Sequence, residues 1–482
     1  MKIADLFSTA LAASTINSGT TLDGFPTYST IVSLLQKTAA ANPLIATYSS
    51  IGQTREGRDI PSLSIHYHHP STPTDGKGRP SGGYVDMRRS VLFVGGIQPR
   101  EVLSMTALVA LVDRMIAVGV SGEDGTVMQA IKGAKAVFVP MLNADGYEHV
   151  RGVFPLHKDS IVKNGAPGCS AANVTSSGVN LGHNWDFEWN YEVISSEDYN
   201  NPCDASYRGP GPFSEPETRA LRDLILKENP KAVIIVHSRH ASEESRLIVP
   251  FMFHKSTFLS QSKSKLQMLS DQDISAYKNL TDSMQSSLAA ADARYTIGTS
   301  WETIQHTISG SDLDWIFDNT GAYSLIMQMG TQDGSYWPDE DFVPSLVEKH
   351  FNPMLKFLQL TVGLPEKTTA KTVGSSILKH VSRIPFYLGV ALFLIVAGIL
   401  STSWLLGYDN VWGRFKTWAS RVQRRLERKQ YVGLRNQSPT RSGTALRSTA
   451  VGAGRGENEE ELGLDDFVDE EDDDGAGFSY RT

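Results

Sequence analysis

Side chains capable of chemistry sit directly behind apolar runs at several points in this chain. Gln98, Arg100 and Glu101 follow residues 91–94 in VLFVGGIQPRE, His237 and Ser238 follow residues 232–236, and Gln328 stands near the end of the run 324–327. A carboxylate at 101 preceded by a histidine three residues earlier would read as a metal site. The chain has an amide there instead. Asn143 and Asp145 close a further run, but Asn143-Ala-Asp-Gly has the composition of a cap or turn.

The runs 91–94, 136–139, 232–236 and 324–327 are short, rich in β-branched and aromatic residues, and bounded by turn residues, so they read as buried strands. Amphipathic stretches lie between them, such as 101–118 closed by Gly119, and 215–228 ahead of Pro230. That alternation predicts an α/β domain on a largely parallel sheet. In such sheets ligands bind outside the carboxyl ends of the strands, where these polar residues collect.

The 482 residues carry a formal net charge of −8, unevenly spread. No basic stripe covers the main domain, which argues against nucleic acid as a partner. Residues 384–406 run without a charge, long enough to cross a hydrocarbon core of about 30 Å, and core helices seldom run so far uncharged. Arg414, Lys416, Arg421, Arg424, Arg425, Arg428 and Lys429 follow it and orient the C-terminus to the cytosol. The expectation is a single-pass type I protein of the secretory pathway, in Golgi, endosome, vacuole or cell surface. Both cysteines, Cys169 and Cys203, and the sequons at Asn173 and Asn279 then face the lumen.

Residues 1–24 read as a weak or incomplete signal segment, with Asp5 inside its apolar part, and are too few for a globular inhibitory segment. Residues 25–362 form the luminal domain, 363–383 a stalk and 407–456 a basic juxtamembrane segment. The acidic tail 457–482 is too charged to fold and resembles the clusters that cytosolic sorting or adaptor proteins read.

Several motifs, in order along roughly 25–360, resemble the M14 zinc carboxypeptidases of the A/B type. GGIQPRE resembles the His-x-x-Glu zinc motif, LNADGYEHVR the Asn-Pro-Asp-Gly-Tyr turn, and GHNWD the Asn-Arg-Asn-Trp-Asp segment. IIVHS resembles the strand that delivers the third zinc ligand, TIQHTISGSDLDW the substrate-tyrosine loop, and LIMQMGTQDG the strand of the catalytic glutamate. The resemblance implies a carboxypeptidase-like (zinc exopeptidase) fold, a three-layer α/β/α domain with a mixed, largely parallel central sheet. It also implies a Cys169–Cys203 disulfide.

Carried over residue by residue, the resemblance implies zinc ligands at Gln98, Glu101 and His237, of which only the last two are of the right type. The general base falls at Gln328, the oxyanion arginine at His157, and the Asn-Arg pair that grips a substrate carboxylate at Gly182 and His183. The substrate tyrosine falls at Gln305 or His306. Leu313 lines the terminal-residue pocket and implies hydrophobic C-terminal side chains. An amide at 328 neither accepts a proton from zinc-bound water nor returns it, and general bases contribute about 10² to 10⁴ in rate. The resemblance therefore implies a pseudoenzyme, with zinc absent or weakly held and peptide or protein C-termini as its ligands. Two alternatives stand beside it: an active zinc carboxypeptidase, its metal site rebuilt around His157, His183, His240 or His306, and a non-catalytic adaptor or cargo receptor whose cytosolic tail sets its location.

Overall fold

The computed structural model describes residues 21–66, 89–122, 124–169, 177–191, 197–239, 245–255, 269–288, 294–330, 335–339 and 341–365. All belong to the first of two units, residues 1–382. The second unit, 383–482, holds the 384–406 span, the basic segment and the acidic tail, which lie outside the described residues, as do nearly all of the stalk, the first twenty residues, Asn173 and His240.

The elements in chain order are β1 (Thr21–Leu22), β2 (Phe25–Pro26), α1 (Tyr28–Ala41), β3 (Ala46–Gln53), β4 (Asp59–Ile65), β5 (Ser90–Val94), α2 (Val102–Ser121), α3 (Gly125–Gly133), β6 (Lys135–Val139), α4 (Ala144–Val153) and α5 (Pro216–Glu228). Next come β7 (Ala232–Ser238), β8 (Ser245–Ile248), α6 (Asp271–Ser286), β9 (Tyr295–Gly298), α7 (Ser300–Ile304), α8 (Asp312–Thr320), β10 (Tyr323–Met329) and α9 (Val343–Thr361).

Eight strands form one mixed sheet in the order β3-β4-β6-β5-β7-β10-β8-β9. Its centre is parallel: β5 pairs with β6 and β7, and β7 with β10. β5 is Ser-Val-Leu-Phe-Val with every residue buried, the continuous apolar signature of a strand covered on both faces. β3, at the edge, shows a mixed exposure pattern. The four strands read from sequence are all present, each longer by one or two residues at one end or both.

α2 departs from expectation. Its closing residue is Gly122, at φ 71°, and Gly119 stays inside the helix. Fourteen of its twenty residues are buried, so it has little wet face. Long and apolar enough to pass as a membrane span, it is a core helix on the sheet. A Cβ on Gly122 would meet nothing within 4 Å, so only its left-handed backbone resists substitution. Gly122→Ala is therefore expected to cost about 1 kcal/mol, read by urea denaturation; a neutral result would mean the helix frays past Ser121.

Asn279 is exposed on α6, while the Thr281 hydroxyl turns inward and donates to the Tyr277 carbonyl at 2.9 Å.

Candidate functional site

The carboxyl ends of β5, β7 and β10 lie side by side, and each delivers one candidate residue. Chain leaving β5 turns through Gly96, where φ is +60° and a Cβ would come within 2.9 Å of the Met141 backbone, so a side chain is excluded. That turn sets Glu101 as the residue capping α2. His237 lies at the end of β7, and Gln328 stands beside it in register on β10.

Glu101 and His237 satisfy each other. His237 Nδ1 lies 2.7 Å from Glu101 Oε2, which the Ser238 amide also approaches at 3.4 Å. Burial works to strip the proton from His237. The charge of Glu101 and its hydrogen bond work the other way, and the net effect raises the imidazole above its usual range. Gln98 Oε1 accepts from Arg100 Nη2 at 3.2 Å. The Arg100 guanidinium lies 4.1 Å over the Tyr336 ring and donates to the Asp159 carbonyl.

The segment carrying Gly182 and His183 is held from below. Asn184 is wholly buried; its amide nitrogen donates to the Arg208 and Gly211 carbonyls and to Ser214, and its oxygen accepts from Thr218 and the Glu215 amide. Trp185 packs against Phe213 and Trp315 and donates to the Leu181 carbonyl. His183 itself stacks on Tyr199 at 4.9 Å, and burial lowers its pKa to about 4, so the ring is neutral. Neither Gly182 nor His183 supplies a guanidinium.

Asp312, a residue not singled out from sequence, is 3% exposed, and its Oδ2 has no hydrogen-bond partner. That oxygen lies 4.0 Å from where a Cβ on Gly182 would stand. Burial raises the carboxyl to about 6, with His237 pulling the other way. Sequence disguised it as an ordinary acid in the first turn of α8.

Other expectations fare differently. Leu313 is fully buried, and the side chains nearest a Cβ on Gly182 are those of Asn180, Ile97 and Asp312. His157 is exposed. Gln305 is exposed at the end of α7, donating to the Trp301 carbonyl, and His306 is exposed beside it. Cys169 and Cys203 are disulfide-bonded. Asn143 and Asp145 are structural: Asn143 caps α4, and Asp145 accepts from Thr54, Arg58 and the Glu56 amide.

The fold's sequence profile, "Zinc carboxypeptidase" (Peptidase_M14), matches residues 31–353, about two thirds of the chain. The chain belongs to the M14 zinc carboxypeptidase family. Among curated proteins it is 25% identical over 355 residues to "Inactive metallocarboxypeptidase ECM14" of Ajellomyces capsulatus, covering 71% of this chain and 53% of that protein. It is 30% identical over 182 residues to the protein of that name in Arthroderma otae, covering 38% and 27%. The chain thus spans about half the length, or less, of the curated relatives it matches.

Solved structures agree on the M14 fold. Thrombin activatable fibrinolysis inhibitor superposes with a TM-score of 0.57 at 18% identity, covering 74% of this chain and 80% of that one. Carboxypeptidase A from Helicoverpa armigera gives 0.56 at 18%, covering 76% and 80%.

M14 enzymes hold zinc, and the residues present do not fit it. Among the described residues no group of three His, Cys, Asp or Glu side chains is placed to hold a metal. The amide at 98 is bound to Arg100, and the two remaining donors are bound to each other.

Proposed function

We propose that this chain is a non-catalytic member of the M14 family, a single-pass membrane protein whose luminal domain binds peptide or protein C-termini. Its acidic cytosolic tail, in this reading, engages sorting or adaptor proteins that set its place in the secretory pathway. The observation that carries the reading is the pair of amides at 98 and 328, in the positions of a metal ligand and of the base. The names of the fungal relatives, inactive metallocarboxypeptidases, point the same way.

Hydrolysis by this family's chemistry needs a metal-activated water and a group to take its proton. Glu101 bonded to His237 supplies neither, and Gln328 has no proton affinity to offer. What persists is the placement of Glu101, His237 and Gln328 at the strand ends and the buried scaffold under residues 181–187. A fold kept in such detail around absent chemistry fits recognition better than turnover.

The test is zinc content by elemental analysis of the full-length chain after Zn²⁺ loading and desalting, together with release of C-terminal residues from peptides. No bound zinc and no release is the expected result. One zinc per chain with release of hydrophobic residues would overturn the reading in favour of an active carboxypeptidase.

A further inference from the structure

Among the described residues seven large apolar side chains are exposed, and four of them stand at one end of the domain. Leu44, Val120, Leu226 and Val362 are each more than half exposed. Leu44 lies just before β3, which runs with β6 because each is antiparallel to β4, so it stands at the amino ends of the central strands. Val120 is in the last turn of α2, a helix that starts from the carboxyl end of β5 and runs back. Leu226 is in the last turn of α5, which leads into β7. Val362 follows α9, and its side chain lies 3.2 Å from where a Cβ on Gly133 would stand, at the foot of β6. Ile45 and Ile131 both come within 3.6 Å of a Cβ position on Gly119, which joins the neighbourhoods of Leu44 and Val120. Single apolar residues scattered over a surface need no explanation, whereas a gathering at one end marks a face that meets something.

The path of the chain says what that is. Pro365 is held at this same end, where its carbonyl accepts from Lys231 Nζ at 3.2 Å, and Lys231 directly precedes β7. The chain therefore leaves the domain beside these side chains, and residues 366–383 are all that separate it from the uncharged run beginning at 384. Arg89, Lys132 and Lys227 are exposed at the starts of β5, β6 and β7, where acidic headgroups would meet them. Of the acids nearby, Glu228 is paired with Lys135 at 2.8 Å and Asp124 caps α3. Asp271 and Asp318 belong to α6 and α8, on the β10 side of the sheet.

We propose that this end of the domain seats on a phospholipid bilayer containing anionic lipid, with Leu44, Val120, Leu226 and Val362 entering the headgroup region. The inference rests on the single-pass membrane reading above. In that seating Glu101, His237 and Gln328, at the opposite ends of the strands, turn away from the bilayer, so the site meets soluble luminal peptides and not lipid.

The test places an environment-sensitive fluorophore on one cysteine at a time, at position 44, 120, 226, 362 or 156, in the full-length chain reconstituted into phosphatidylcholine liposomes with a minority of phosphatidylserine. The two native cysteines are bonded to each other, so the introduced thiol is the one that reacts. Leu156 is the control, three residues before Asp159, whose carbonyl meets Arg100 past the carboxyl end of β5. Lipid bearing a headgroup nitroxide is expected to quench the probes at 44, 120 and 226 at least about twofold more than the probe at 156. Position 362 lies near the tether and decides less. Leu44→Glu with Val120→Glu, both on exposed side chains, should bring quenching at 226 down to the level at 156; quenching that persists there would overturn the apolar seating. Equal quenching at 44, 120, 226 and 156 would show the domain turning freely on its tether, and would overturn this inference while leaving the membrane reading in place. Release of the chain from the liposomes by alkaline carbonate would overturn both. Energy transfer between copies labelled at 226, without lipid quenching, would assign the face to a second copy of the chain and overturn the bilayer as its partner.

Discussion

Full-length protein carrying Gln98→His and Gln328→Glu is expected to hold one zinc ion where the wild type holds none. The imidazole introduced at position 98 would stand past the end of β5 near Glu101 and His237, completing two imidazoles and a carboxylate, the donor set of an open zinc site. The Glu101–His237 bond must open, and Arg100 loses its Gln98 acceptor but keeps the Asp159 carbonyl and the Tyr336 ring. With free zinc a thousandfold above its dissociation constant, the ion stabilises the native state by about 4 kcal/mol. A zinc-dependent rise in thermal midpoint that a chelator reverses, in the variant alone, checks this. Equal zinc in variant and wild type would show that the crevice is not an emptied metal centre.

Even so, the variant should cleave peptides poorly. His183 is neutral and stacked on Tyr199, and Gly182 has no side chain, so neither position offers a guanidinium to a substrate carboxylate. Zinc binding and turnover therefore separate, and zinc content is the more direct readout of the two.

The sequence carried the centre of the fold more clearly than its edges. β5, β6, β7 and β10 are covered on both faces, so their residues are nearly all apolar and their limits fall within a residue or two of the hydrophobic runs. β3 is half wet and β8 has four residues, which leaves no run to find. Sequence places the end of α2 at Gly119 because glycine usually closes helices. In the fold that residue packs near Ile131 and Ile45 with an ordinary helical backbone, and the left-handed cap falls three residues later at Gly122.

At the site, residues positioned by strand ends were legible because the strands were. Glu101, His237 and Gln328 converge for that reason. His157 and Gln305 lie on loops whose path depends on tertiary packing, and both are exposed. Asp312 was hidden by context: in Ser-Asp-Leu-Asp it passes for a favourable charge at a helix start, and only the missing partner of its Oδ2 reveals otherwise.

The second large effect concerns acid. His350, on α9, is fully buried against Tyr295, whose hydroxyl lies 2.7 Å from Nδ1, and its Nε2 has no partner. Burial first, and the nearby Lys349 charge second, depress its pKa to about 3. An unfolded chain takes up the proton near pH 6.5, whereas the native chain refuses it until about pH 3, so stability falls as pH drops through that window. Between pH 7 and 4.5 this one residue should remove on the order of 3 kcal/mol. His237 and the buried carboxyls of Asp312 and Glu217, whose pKa values are raised, act with the opposite sign and stabilise the native state on acidification. The His350 share is therefore isolated by substitution. Asn at this position keeps an acceptor for Tyr295 and cannot titrate. His350→Asn is expected to lose a little stability at pH 7 but to fall by about 3 kcal/mol less than wild type on going to pH 4.5, measured by urea denaturation at both values. Parallel losses in the two proteins would mean that His350 meets water in the native state, and that the α9–β9 contact is looser than its burial implies.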